Sequence, residues 1–184
     1  MRREATRARL ADRVIAIGID PGKTGGIVAI RPDRSVLLAI AADGPDGYHL
    51  DNEIDPVWLS GLLAPLRGLP CCAVIERPTV QPPTGRTSCL TIGIGYGLLV
   101  ATLRLAGIPL VEVSPAQWSR AMLGAPPAGG WAGKAKKEAA MALCSRELPA
   151  LRLVLPGRKV RHDGLADAGA LALYALRTAY NAQN

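Results

Sequence analysis

The sequence predicts an α/β fold, a mixed five-stranded sheet of three antiparallel and then two parallel strands, flanked by helices. Three observations carry that prediction. Val14-Ile15-Ala16-Ile17-Gly18-Ile19 is a run of small and β-branched apolar residues, the pattern of a strand buried on both faces. Two more strand-length runs, over 26–30 and 35–41, follow at hairpin distance. Beyond them, apolar runs over 71–75 and 109–113 alternate with helical patterns, which adds parallel strands to the first three.

Each element has a local reason. Asp20-Pro21-Gly22 ends the first strand in a turn, because Pro presets φ and Gly tolerates positive φ. Residues 42–55, rich in Gly, Asp, Asn and Pro, read as a loop. Asp55 caps a short helix over 56–66 that has Pro56 at its first position. Glu76 closes the fourth strand, and Arg77-Pro78 prevents its continuation. A Pro-rich polar loop over 79–87 carries Arg86, and Ser88 is the candidate cap of the next helix. There Leu90, Ile94, Leu98, Ala101 and Leu105 recur at three- and four-residue spacing, and Gly107 ends the run.

After the fifth strand, Ser114-Pro115 opens a helix through Met122. A Pro/Gly/Ala loop over 124–133 holds Trp131, and an Ala-rich helix spans 134–148. A basic stretch over 152–161 leads to a last helix over 163–180. That order of elements is the order of a ribonuclease H-like fold.

Composition narrows the function. Hydrophobic residues make up 49% and charged residues 20% of the 184, enough for one packed domain over 13–184. Residues 1–12 read as a basic arm outside it. Twenty-two Lys and Arg against fifteen Asp and Glu give +7, which favours a polyanionic partner. No uninterrupted apolar run reaches bilayer length, so no membrane is expected. Four cysteines without C-x-x-C spacing and two histidines argue against zinc and for reduced thiols. The expected location is cytoplasmic or nucleoid-associated, and a short basic leader is also compatible with an organelle.

Four acids fall at element ends. If the fourth strand lies parallel beside the first, Asp20 and Glu76 emerge at one edge of the sheet. Asp163 and Asp167, four apart, share a helix face in the first turns, where the dipole favours anions. Ionised together, such carboxylates need cations between them. An all-oxygen set selects Mg²⁺, with Mn²⁺ able to substitute. Two such ions would support phosphodiester hydrolysis. Taken singly, Asp20 and Asp163 also read as ordinary turn and cap residues.

Gly18-x-x-x-Gly22-Lys23-Thr24 is one residue short of a phosphate loop, with Pro21 inside it. Asp20-x-Gly22-x-Thr24 is also similar to the first phosphate motif of actin-like ATPases, the alternative enzymatic reading. That reading needs two such lobes, and one is present here.

Gly18-Ile19-Asp20-Pro21-Gly22, the strand-ending Glu76 and His162-Asp163-Gly164-Leu165-Ala166-Asp167-Ala168 together resemble the RuvC-type Holliday-junction resolvases. The resemblance runs from about Arg13 to Tyr180. It is closest to the phage and chloroplast branch, whose Gly-x-Gly-Tyr-Gly segment is matched by Gly93-Ile94-Gly95-Tyr96-Gly97. It implies a homodimer that nicks opposed strands of a four-way DNA junction, with no small-molecule cofactor. It also implies two Mg²⁺ ions held by Asp20, Glu76, Asp163 and Asp167, and catalytic-support lysines near Lys134 and Lys137.

Two departures matter. Bacterial members place the last acid pair three apart, not four, which makes Asp167 the firmer ligand and leaves His162 competing with Asp163. No aromatic stands between Arg77 and Gly95, so the wedge of some relatives has no counterpart. A domain that binds branched DNA without cutting it is the remaining alternative.

Lys134, Lys136 and Lys137 sit at a helix start, where the dipole disfavours cations unless phosphates compensate. Lys23, Arg86, Arg158, Lys159 and Arg161 are further DNA-binding candidates. Gly93 and Gly95 each cost roughly 1 kcal/mol in a helix interior, which close approach of a helix or of DNA would offset. Tyr96 is then a base-stacking candidate. Trp118 is expected in the core, and Trp131 to face DNA or a second copy.

Overall fold

The computed structural model describes residues 14–50, 53–79, 84–127, 131 and 133–181. The expected arm, residues 1–12, lies outside them. Strands β1 (Ile15–Asp20), β2 (Gly26–Ile30) and β3 (Val36–Ala41) form the antiparallel meander, and β6 (Cys71–Glu76) and β7 (Leu110–Val113) add in parallel. The sheet order is β3-β2-β1-β6-β7. The five-stranded mixed sheet is therefore as the sequence predicts.

The composition of β1 explains its central place. Ile15, Ile17 and Ile19 fill one face, and Ala16 and Gly18 leave the other nearly flat. The isoleucine face packs under α1 (Pro56–Leu63) and α2 (Arg86–Leu105). The flat face takes α5 (Asp163–Asn181), backed by α3 (Pro115–Leu123) and α4 (Gly133–Glu147). At Gly18 a Cβ would lie 2.0 Å from the Ala168 carbonyl oxygen and 2.1 Å from the Ala172 nitrogen. Only glycine lets α5 lie this close to β1. The buried alanines Ala166, Ala168, Ala170 and Ala172 complete the close contact.

Helix starts follow their caps. Asp55 Oδ1 accepts from the Val57 and Trp58 amides, and Ser114 and Gln117 form a reciprocal capping box. The segment over 42–55 differs from the expected plain loop, because β4 (His49–Leu50) and β5 (Glu53–Ile54) pair within it.

Helix α2 departs from expectation in three ways. It starts at Arg86 with Gly85 at the cap, so Ser88 lies inside the helix and Arg86 in its first turn. The face it buries is Leu99, Thr102 and Leu103. The stripe read from the sequence points outward, with Leu90, Ile94 and Leu105 at 64%, 54% and 89% exposure. With twenty residues and a mean hydropathy of 1.5, α2 is also long and apolar enough to cross a bilayer. The expectation that no segment reaches bilayer length therefore does not hold for α2, by length and composition. Here α2 connects β6 to its parallel neighbour β7 and packs on the sheet between them.

Candidate active site

Parallel pairing of β1 with β6 in the register Ile19↔Ile75 puts the next residues, Asp20 and Glu76, side by side at the strand ends. Helix α5 enters at the same edge and brings Asp167 beside them. Its start is fixed by His162, whose Nδ1 accepts from the Leu165 amide (3.0 Å) and whose Nε2 meets Asp43 Oδ1 (2.7 Å). The Nδ1 contact is a side-chain N-cap. Both ring nitrogens are thus engaged away from the acids, which removes His162 as a competing ligand.

Three carboxylates, Asp20, Glu76 and Asp167, form the cluster. Burial, then the charges of Asp167 and Glu76, push the Asp20 carboxyl up to about 7, against a bond from the Gly22 amide (3.1 Å). Burial raises Asp167 to about 6, with Glu76 adding to the rise and Lys136 opposing it. Asp163 stands at the rim. Burial would raise it, but its ion pair with Lys137 and the Gly164 amide hold it below the usual carboxylate range.

One cation sits inside. Lys136 Nζ lies 3.4 Å from Glu76 Oε2 and 3.4 Å from Asp167 Oδ2, with its side chain only 17% exposed. It also lies 4.5 Å from the centre of the Trp118 ring. The Trp118 indole N–H donates to the same Glu76 Oε2 at 2.5 Å. Trp118 is fully buried, as expected, but its bond to Glu76 was not foreseen. The only signal available was that a buried indole N–H requires an acceptor.

Among the described residues, no three Cys, His, Asp or Glu side chains already close around a metal position. Lys136 occupies the space between two of the acids. The donor chemistry still fits a hard divalent ion. The ligands are all oxygen, and Asp167 Oδ1 is buried with no hydrogen-bond partner.

The other candidate residues divide. Lys134 is 90% exposed and pairs with Glu138 one turn on, so the lysine at the acids is Lys136. Lys23 joins Asp20 and Glu76 in lining a cavity of about 450 Å³, with Ile54, Ile94 and Leu98 on its apolar side. Arg86, Lys159 and Arg161 are exposed, whereas Arg158 grips Asp43 through its side chain (3.0 Å) and backbone carbonyl (3.1 Å). Gly93 has open space where a side chain would be, and Gly95 faces only Ile54. Among the described residues, no helix comes close enough to either glycine to offset its cost.

Tyr96 is not presented for stacking, because it is half-buried and donates to Glu112 Oε2 at 2.7 Å. Trp131 donates to the Gly124 carbonyl and closes a hollow against Arg120 and Lys136. In the turn after β1, the Gly22 amide serves Asp20 and the Gly25 amide serves the Gly22 carbonyl. These amides are not an open phosphate cradle, which disfavours the actin-like reading.

The fold has counterparts among solved structures. Thermus thermophilus RuvC in complex with Holliday junction substrate aligns at 22% identity and a TM-score of 0.58, over 92% of this chain and 94% of that one. The fold is that of RuvC. A second Thermus thermophilus RuvC structure aligns at 20% identity and TM-score 0.55, over 91% and 95%. The yeast mitochondrial Holliday junction resolvase Ydc2 aligns at 15% identity and TM-score 0.59, over 100% of this chain and 87% of that one. No family model and no curated protein matches the sequence. In this RuvC fold the strand ends and the start of α5 are where the acids gather.

Proposed function

We propose that the protein is a divalent-metal-dependent endonuclease that resolves four-way DNA junctions. The observation that carries this reading is the convergence of Asp20, Glu76 and Asp167 from β1, β6 and α5 at one edge of a RuvC-like sheet. Those three residues would hold Mg²⁺, with Asp163 as a rim ligand once Lys137 lets it go. Bound there, divalent ions supply an activated water and stabilise the leaving oxygen of a phosphodiester.

The chain's own residues do the rest. Asp20 and Asp167, buried beside each other, set up the negative potential that draws a cation in. Lys23 and Lys137 flank the acids and meet phosphates on either side of the cut, with Lys134, Arg86, Lys159 and Arg161 extending the basic surface. Binding should therefore fall steeply with salt. The outward face of α2, with Leu90, Ile94, Leu105 and the open positions at Gly93 and Gly97, supports docking of a second copy. Two copies would present two cutting sites to the junction.

The test is nicking of a synthetic four-way junction in Mg²⁺ or EDTA, with Asp20→Asn as control. Nicking by the wild type in Mg²⁺ alone supports the reading. Tight junction binding without any cutting favours a non-catalytic binding domain.

A further inference from the structure

The carboxylate cluster contains more than a metal site needs. Lys136 is a nearly buried cation on an otherwise exposed helix start, and it contacts two of the three acids at equal distance. It is held there by design of its surroundings. The Trp118 ring supplies a flat, fully buried platform under the ammonium, and the same indole fixes Glu76 through its N–H. One aromatic side chain thereby orients both members of the ion pair. Neighbouring lysines have no such seat: Lys134 is in solvent and Lys137 is at the rim with Asp163.

We infer that Lys136, seated on Trp118, is a built-in counter-ion that competes with the first divalent cation for Glu76 and Asp167. The inference rests on the metal-site reading above. In the metal-free protein the ammonium neutralises the pair and keeps Glu76 in its ligating orientation. Entry of a divalent ion adds like charge to that position, and the ammonium must leave it. Its stem remains anchored on Trp118, so the displaced group stays within reach of a phosphate at the same edge. Lys136 is therefore a positioning residue that sets metal affinity, so that metal binds more tightly once DNA phosphate gives the ammonium a new partner.

The test uses the full chain without DNA, titrated with Mn²⁺ at pH 8 and followed by electron paramagnetic resonance of the free ion. Lys136→Met keeps the stem and removes the charge. It should bind Mn²⁺ at least tenfold more tightly than wild type, and Lys136→Arg should bind as wild type does. In the same variant, adding an uncleavable junction should tighten Mn²⁺ binding less than it does in wild type. Equal or weaker Mn²⁺ binding by Lys136→Met overturns the inference, as does an unchanged response to DNA. Should the wild type bind Mn²⁺ normally yet fail to nick any junction, the nuclease reading falls while the titration still decides the role of Lys136.

Discussion

Replacing Gly18 by Ala tests the contact that brings the acids together. The new Cβ would lie 2.0 Å from the Ala168 oxygen, 2.1 Å from the Ala172 nitrogen and 2.7 Å from the Leu171 carbonyl carbon. All three are backbone atoms of α5, so no rotamer change relieves the clash. To reach ordinary contact at 3.4 Å, α5 must withdraw by about 1.4 Å. Overpacking of this kind costs about 1–3 kcal/mol, and a rigid backbone contact belongs at the upper end. For a chain of this size, about 3 kcal/mol lowers Tm by roughly 6–12 °C. Asp167 rides on the same helix, so stabilisation by Mg²⁺ should shrink as well. Thermal unfolding followed by circular dichroism, with and without Mg²⁺, reads both effects. Gly93→Ala is the internal control: it has open space around it and should gain roughly 1 kcal/mol from helix propensity. A Gly18→Ala protein that melts within about 2 °C of wild type and keeps its full Mg²⁺ response would refute the reasoning.

Other expectations follow from the same geometry. Asp20 and Asp167 have folded-state pKa values of about 7 and about 6, both above the ordinary 3.8. They therefore contribute stability that is complete below pH 4 and lost as pH rises through 6 and 7. In EDTA, the urea midpoint of wild type should fall over that window more than that of Asp20→Asn; parallel curves would contradict this. Asp43→Ala strands the His162 Nε2–H and frees Arg158, costing about 1–3 kcal/mol by urea unfolding. An unchanged midpoint would mean that the α5 start is not anchored there. Tyr96→Phe removes the phenol's bonds to Glu112 and Arg77, so it should cost about 1 kcal/mol while junction nicking stays at the wild-type rate. A large fall in nicking would restore Tyr96 as a DNA contact.

Much of the fold was legible because strand signals here are unusually clean. The Ile-Ala-Ile-Gly-Ile alternation of β1 and the parallel addition of β6 place Asp20 next to Glu76 before any coordinates are seen. Position four apart on one helix did the same for Asp163 and Asp167. The lysines were less legible, because three within four residues of a helix point in different directions. Which of them reaches the acids depends on how α4 is rotated against α5, and the low amphipathicity of an Ala-rich helix does not encode that rotation. Periodicity misled at α2 for a related reason. Its apolar residues surround the helix, so the stripe Leu90, Ile94, Leu98 fitted helical spacing as well as the buried Leu99 and Leu103 did. Trp118 and His162 were hidden differently: each looked like a packing or ligand residue, and each orients a neighbour through one hydrogen bond.

The account depends most on divalent ions being shared by acids from β1, β6 and α5. Crystals soaked in Mn²⁺ and measured near the manganese absorption edge test this directly. The account predicts an anomalous peak in contact with the carboxylates of Asp20 and Asp167, with Lys136 moved away from Glu76. A peak confined to other surfaces of the molecule, with Lys136 still seated between Glu76 and Asp167, would contradict it.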